Sequence, residues 1–360
     1  MDGNRPIQDM GDEFHDGALR WIEGAFPKAR RAACLAGETG ATEAVWRDLA
    51  EMGMLGLMAP EEAGGLAATP AVACRVAEAF GHGLLCEPWI PVAVGAVSIL
   101  SDAGEDLTAL VRGKTRPVPA WTEPDRRWSR RPSATVFDGS DCVSGSKTVV
   151  WGASAADTVL VSGLTSKGAE AIARVSAEHI HRRRYRMWDG CDAAELVFET
   201  APAEILIEGP AASLALDRAL DLMTLTTCAE AIGVMARALD LTREHLRTRV
   251  QFGRPLAANQ ALRHRIAEAW VEAELARALI TRVAREFEAY DAAEQGRMIA
   301  AAKAQTGIAA RRMAEETVQM HGGIGITDEA EISHLHRRLV AIDLGFGSTA
   351  VQLARFGGAE

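Results

Sequence analysis

The sequence predicts an α+β protein, mostly α, in three consecutive parts: an N-terminal α-helical domain (residues 1–115), a middle β domain (116–210) and a C-terminal helical bundle (211–360). Three observations predict it. Alanine-rich helical text runs from about Asp12 to Arg112, short β-rich runs separated by turn residues fill Pro117 to Glu208, and the helical period returns from about Ala211. With 360 residues, 48% of them hydrophobic, the chain can bury more than one core.

The N-terminal part is punctuated by Gly37-Glu38-Thr39-Gly40, Ala59-Pro60 and Gly64-Gly65, each a turn or cap. Its longest apolar run, Trp89 to Leu100, is too short to span a bilayer, and Pro88 and Pro91 suit the start of a core helix. Five strands are expected in the middle part, at Ala134–Phe137, Thr148–Trp151, Thr158–Val161, Glu195–Phe198 and Ile205–Ile207, forming a small antiparallel sheet. In the last part Ile232, Met235, Leu239, Thr242 and Leu246 fall on one helical face, and Leu262, Ile266, Trp270, Ala273, Ile280, Val283 and Phe287 form a second stripe. Ala300 to Met320 supplies another long helix.

A net charge of -10 argues against nucleic acid, because a phosphate-binding surface needs a basic footprint. Any anion site must be local. Two arginine clusters, Arg126, Arg127, Arg130 and Arg131, then His181, Arg182, Arg183, Arg184 and Arg186, read as solvated surface. Cys34, Cys74, Cys86, Cys142, Cys191 and Cys228 show neither metal-ligand spacing nor a disulfide framework, so they read as thiols of a reducing cytoplasm, with no metal. Met1 to Met10 is polar and acidic and carries no secretory signature, and no membrane association is expected.

Two stretches carry the chemistry. Arg249 to Gln260 interrupts the strongest helical signal with guanidinium groups, amides and an aromatic ring, a combination that suits a phosphate and a heterocycle; the preceding helix is expected to end at Gly253 and Pro255. Gln319 to Thr327 closes a long helix with three glycines in four positions, where a plain helix stop needs one. Paired glycines leave bare amides that can approach a diphosphate closely.

In this order, about seventy residues apart, the two stretches resemble the signatures of the acyl-CoA dehydrogenase family. Pro60-Glu61-Glu62-Ala63-Gly64-Gly65 and Thr122-Glu123-Pro124 are similar to two shorter motifs of that family, a P-E-E-x-G-G turn and a T-E-P turn beside the flavin. The resemblance covers nearly the whole chain and implies the family's fold: helical domain, β domain and four-helix C-terminal domain. It implies FAD as cofactor and an acyl-CoA as substrate. It also implies that Arg249, Gln251, Phe252, Gln260, Gln319, Gly322 and Gly323 contact the adenosine diphosphate part of an FAD bound by a neighbouring subunit, hence an oligomer.

The chain departs from the family where the reaction needs a carboxylate to take the α-proton. Counted without gaps, the family's glutamate falls at Phe346, and the alternative position on the helix before the first signature falls at Met223. The arginine that follows that second position corresponds to Thr224, the W-x-T flavin strand to Val149-Val150-Trp151, and Asp125-Arg126-Arg127-Trp128 replaces the usual G-S-D. Glu230 and Asp343 remain as displaced bases, although Glu230 lies roughly 10 Å along a helix from Met223. No catalytic residue is therefore assigned.

This pattern resembles the smaller subunits of heteromeric acyl-CoA dehydrogenases, of the pimeloyl-CoA and bacterial steroid types. It implies a larger partner subunit that supplies the base, in an α2β2 complex. The alternatives are a self-sufficient homo-oligomeric enzyme that uses Glu230 or Asp343, and a scaffold that kept the fold without the chemistry.

Overall fold

The computed structural model describes residues 10–358 apart from 27, 38, 127 and 140. The chain before residue 10, Glu38 of the first expected turn and Arg127 of the first arginine cluster lie outside the described residues. Helices α1 (Gly11–Ala25), α2 (Lys28–Ala36), α3 (Thr39–Glu51), α4 (Pro70–His82), α5 (Val97–Asp102) and α6 (Thr108–Val111) come first. Strands β1 (Pro117–Ala120), β2 (Val136–Phe137), β3 (Cys142–Trp151), β4 (Thr158–Thr165), β5 (Glu170–Ser176), β6 (His181–Arg186), β7 (Asp192–Pro202) and β8 (Glu204–Glu208) follow. Then come α7 (Pro210–Thr248), the short β9 (Val250–Gln251) and β10 (Arg254–Pro255), α8 (Gln260–Glu286), α9 (Ala292–His321), α10 (Glu331–Leu344) and α11 (Thr349–Phe356). By internal contacts the chain forms two compact units, each discontinuous in sequence.

One unit holds residues 28–69 and 86–223. Its sheet runs β6-β7-β3-β2-β4-β5-β8, with β1 also on β4. The sheet is mixed where an antiparallel one was expected: β1 and β2 lie end to end along one side of β4, both parallel to it. The expected strands at β2, β3, β4, β7 and β8 form, whereas β1, β5 and β6 were not foreseen. Pro117 and Pro119 hid β1, because proline lacks the N–H that a ladder normally uses. Ile90–Ala96, a π-helical turn leading into α5, is buried at every residue, so the apolar run does build core.

The arginine clusters are not simply solvated. Arg130 reaches Asp221 at 2.5 Å and Arg131 pairs with Asp217, tying the segment before β2 to α7. The second cluster is an edge strand, β6, on which Arg182 donates to the carbonyls of Ala153 and Ala156 at 3.1 and 2.8 Å and Arg186 donates to that of Cys34 at 2.9 Å. Charge along an open edge also discourages pairing with a second sheet.

The other unit holds residues up to 27, 70–85 and 224–360. Two glycines let α4 and α7 touch backbone to backbone. A Cβ on Gly81 would stand 2.1 Å from the Glu230 carbonyl oxygen, and one on Gly233 would stand 1.8 Å from that of Glu78. No side chain fits there, so the helices pack at the closest distance their backbones permit. The α8 stripe holds at Ala273, Ile280, Val283 and Phe287 but fails at Trp270, which is 49% exposed beside exposed Val271 and Leu275. The buried face runs instead through Ala269, Ala273 and Ala276, because α8 meets its neighbours through small residues. Among the described residues one helix, α7, is long and apolar enough to cross a membrane, but 94% of its most apolar window is buried within the protein.

Gly233→Ala should lower stability by ~3 kcal/mol, the cost of overpacking against rigid backbone. The expected reading is a lower urea midpoint with an unchanged denaturant slope.

Candidate functional site

The first stretch begins where α7 stops at Thr248, a turn earlier than expected. Arg249 closes the helix by donating its N–H to the His245 carbonyl at 2.9 Å, and the chain then folds into a miniature hairpin in which Val250 pairs with Pro255 and Gln251 with Arg254. Phe252 and Gly253 form its two-residue turn with φ of +53° and +75°, the pattern that a tight hairpin of this hand requires. The tip puts the Phe252 ring 98% in solvent. Gln251 donates to its neighbour's carbonyl at 2.9 Å, Arg254 donates to Asn259 at 2.9 Å, and Gln260 opens α8 with its amide 3.4 Å from His264. Arg249 is exposed, and no hydrogen bond or ion pair engages its guanidinium among the described residues.

In the second stretch two of the three glycines have a structural reason. Gly322 ends α9 at φ +66°, and a Cβ on Gly325 would stand 2.9 Å from the Val318 carbonyl oxygen. Gly323 has neither constraint: its φ is ordinary and nothing lies within 4 Å of its missing Cβ. Gln319 and both leading glycines are exposed, as are Ile324 and Ile326. The two stretches are brought together at their roots, where the rings of His245 and His321 stack with centroids 4.4 Å apart and planes 24° from parallel. Neither histidine was singled out in the sequence, because a stack between distant helix ends leaves no local pattern.

The carboxylates considered as displaced bases are both engaged. Glu230 is 5% exposed, and both its oxygens accept from Arg338 at 2.7 Å. Asp343, 4% exposed, accepts from the Thr349 hydroxyl at 2.6 Å, the Thr349 N–H at 3.2 Å and Arg311 at 2.5 Å. Burial acts to raise the Asp343 pKa, but these donors and the nearby Lys303 charge outweigh it and hold the carboxyl below its usual range. Lys303 is fully buried and donates to the carbonyls of Asp343 and Gly347 at 2.9 and 3.2 Å. Burial lowers its own pKa. Gln352 donates to the Phe346 carbonyl at 2.5 Å. The α10–α11 loop is thus fastened on three sides around Phe346, which sits in the left-handed region at φ +56°. An ordinary lysine in an alanine-rich helix gave no sign of this role.

In the sheet unit, Met223 packs onto the π-helical turn, its sulfur 2.4 Å from where a Gly95 Cβ would be. Glu123 of the Thr-Glu-Pro turn is consumed locally. It accepts from the backbone of Ser133, Ala134 and Thr135, from the Ser133 hydroxyl, and from buried Lys147 at 3.1 Å. Burial opposes its ionisation, yet Lys147 and these donors bring its pKa down to about 2. The Val149–Trp151 segment carries a bulge, with Val149 at φ +51°. Glu87, not foreseen, is a further buried carboxyl whose oxygens accept no well-formed hydrogen bond among the described residues; burial raises its pKa and pushes that of the neighbouring Cys34 thiol up to about 12.

Residues 12–107 match the N-terminal domain of acyl-CoA dehydrogenases and residues 213–358 match the C-terminal domain. The chain is 30% identical over 316 residues to acyl-CoA dehydrogenase IpdE2 of Mycobacterium tuberculosis, covering 87% of this chain and 84% of that one. It belongs to the acyl-CoA dehydrogenase family. A cyclohex-1-ene-1-carbonyl-CoA dehydrogenase of Syntrophus aciditrophicus is 26% identical over 85% of this chain and 79% of its own. Among solved structures, a variant of the Tcur3481-Tcur3483 steroid ACAD superposes with a TM-score of 0.88 at 26% identity, covering 98% of both chains. The ChsE4-ChsE5 complex of Mycobacterium tuberculosis shares the fold at a TM-score of 0.87 and 22% identity, covering 99% of this chain and 98% of that one.

Acyl-CoA dehydrogenases depend on FAD. The donor set at the two loops fits the adenosine diphosphate half: an unengaged guanidinium, an exposed aromatic ring and a glycine, Gly323, that the fold itself does not require. The loop amides and the Arg249 side chain suit the diphosphate, and the Phe252 face suits a heterocycle.

Two outcomes are expected. Glu230→Gln should destabilise by about 3–5 kcal/mol, because it leaves Arg338 buried beside an uncharged partner; thermal unfolding reads it. For Glu123, a depressed pKa means that its stabilisation is complete above the ordinary carboxylate value of roughly 4.3 and is lost as pH falls toward about 2. Lys147, lowered to about 8 by burial, is protonated in both states across that window and adds no slope. Glu123→Gln should therefore flatten the acid limb of the stability profile.

Proposed function

We propose that this chain is the smaller subunit of a heteromeric acyl-CoA dehydrogenase, α2β2 in composition, which introduces an α,β double bond into an acyl-CoA of steroid-derived type. One contrast carries the reading. Positions that would serve a proton acceptor are apolar, Phe346 and Met223, or hold carboxylates already committed to Arg338, Arg311 and Thr349. Groups that would reach a neighbour's cofactor, Arg249, Phe252, Gln319 and Gly323, stay exposed.

In this assignment Arg249, Gln251, Phe252, Gln260, Gln319, Gly322 and Gly323 hold the adenosine diphosphate part of an FAD shared with the larger subunit. When bound there, FAD would supply the acceptor for the hydride of the β-carbon. The larger subunit supplies the glutamate that takes the α-proton. Exposed Trp270, Val271, Leu275 and Ile308 on α8 and α9 give a partner apolar surface to cover. The two-component Tcur3481-Tcur3483 steroid ACAD among the structural relatives favours a partner subunit. Six free cysteines suit a reducing cytoplasm, where we place the complex.

The homo-oligomeric alternative needs Glu230 or Asp343 to abandon several strong partners, and the scaffold alternative leaves the exposed donor set without a use. Chain purified alone should carry little flavin and no turnover, and coexpression with the larger subunit should restore both. Stoichiometric FAD and full activity in the isolated chain would sink the proposal. Within the complex, Arg249→Ala should weaken FAD binding roughly ten- to a hundredfold, the worth of a lost charge-assisted hydrogen bond.

A further inference from the structure

The two FAD-facing stretches grow from different helices, and a diphosphate can bridge them only if their spacing is held. Arg249 lies one helical turn beyond His245 and is tied to its carbonyl at 2.9 Å; Gly322 and Gly323 follow directly on His321. The His245–His321 stack, with centroids 4.4 Å apart, joins these roots. The His321 ring is fixed in turn. Its Nδ1 lies 2.8 Å from the Thr317 carbonyl oxygen, and Gly325 closes over its Cβ so tightly that a Cβ at 325 would stand 3.1 Å away.

Resting on the FAD reading of these loops, we propose that His245 and His321 are positioning residues, whose stacked rings set the distance between the Arg249 guanidinium and the amides of Gly322 and Gly323 so that both engage one diphosphate. The role is spacing rather than charge. Burial lowers the pKa of both histidines, which favours uncharged rings. Arg249 is the charged side chain acting on His245. A flat apolar ring should therefore replace a histidine here, while a methyl group should not.

The test uses the two-subunit complex and measures FAD affinity by reconstitution of the apo form, with thermal unfolding of each variant. His321→Ala should weaken FAD binding roughly tenfold, the scale of one lost aromatic pair. His321→Phe, which keeps the stack but no ring nitrogen, should restore affinity to within about threefold of the parent. Unchanged affinity in His321→Ala, or a Phe variant as weak as the Ala variant at equal stability, overturns the proposal. If His321→Ala does not fold, the paired His245→Phe, His321→Phe variant decides: retained affinity supports spacing, and loss refutes it. Arg249→Ala separates the two levels. If it too leaves FAD affinity unchanged, the cofactor reading of the loops fails; if it weakens binding while His321→Ala does not, only the positioning role fails.

Discussion

The backbone contact between α4 and α7 at Gly81 and Gly233 is the constraint on which the helical unit depends. With carbonyl oxygens 2.1 and 1.8 Å from the positions of the missing Cβ atoms, the two helices meet with no side chain between them. That approach sets where the flanking residues of α7 lie. Glu230, whose carbonyl oxygen meets Gly81, is buried there with Arg338 of α10 as its counterion, and Glu78 beside Gly233 accepts from Arg75 at 2.5 Å and pairs with Arg277 of α8. A close helix crossing thus leads directly to a set of buried or half-buried charges, each with a partner from another helix.

The same logic recurs at two further buried ion sites. Glu123 collects four protein donors besides Lys147, and Lys147 itself reaches the Trp121 carbonyl at 3.2 Å. Asp343 and Lys303 both hold the α10–α11 loop, the first through Thr349 and the second through the Asp343 and Gly347 carbonyls. In each case the polar groups are satisfied within the chain, and what they fix is backbone: the entry to β2, the loop around Phe346, the docking of α10. Carboxylates used so fully as structural anchors are poor proton acceptors, since accepting a proton would abandon several charge-assisted hydrogen bonds at once.

The exposed loops obey the opposite rule. The Phe252-Gly253 turn has its conformation dictated by local chemistry, yet Phe252 stands out in solvent, and Gly323 has no steric or conformational reason of its own. Such residues stay available to a ligand or partner. Here they cluster at two helix ends joined by a pair of stacked rings.

The sequence by itself determined the family, the order of helices, strands and helices, the long apolar core helix and the two loops, because each is written in local pattern: helical period, turn residues, glycine placement. It also exposed the apolar residues at Phe346 and Met223, which need only counting. Only the tertiary structure decided that Arg130 and Arg131 pair with α7, that Trp270 faces outward, that two strands run parallel to β4, and that Glu230 and Asp343 are committed to Arg338 and Arg311. The reason is physical. A charge, a lysine such as Lys303 or a pair such as His245 and His321 acquires its role from partners tens to hundreds of residues away, and no local period records which distant helix will arrive beside it.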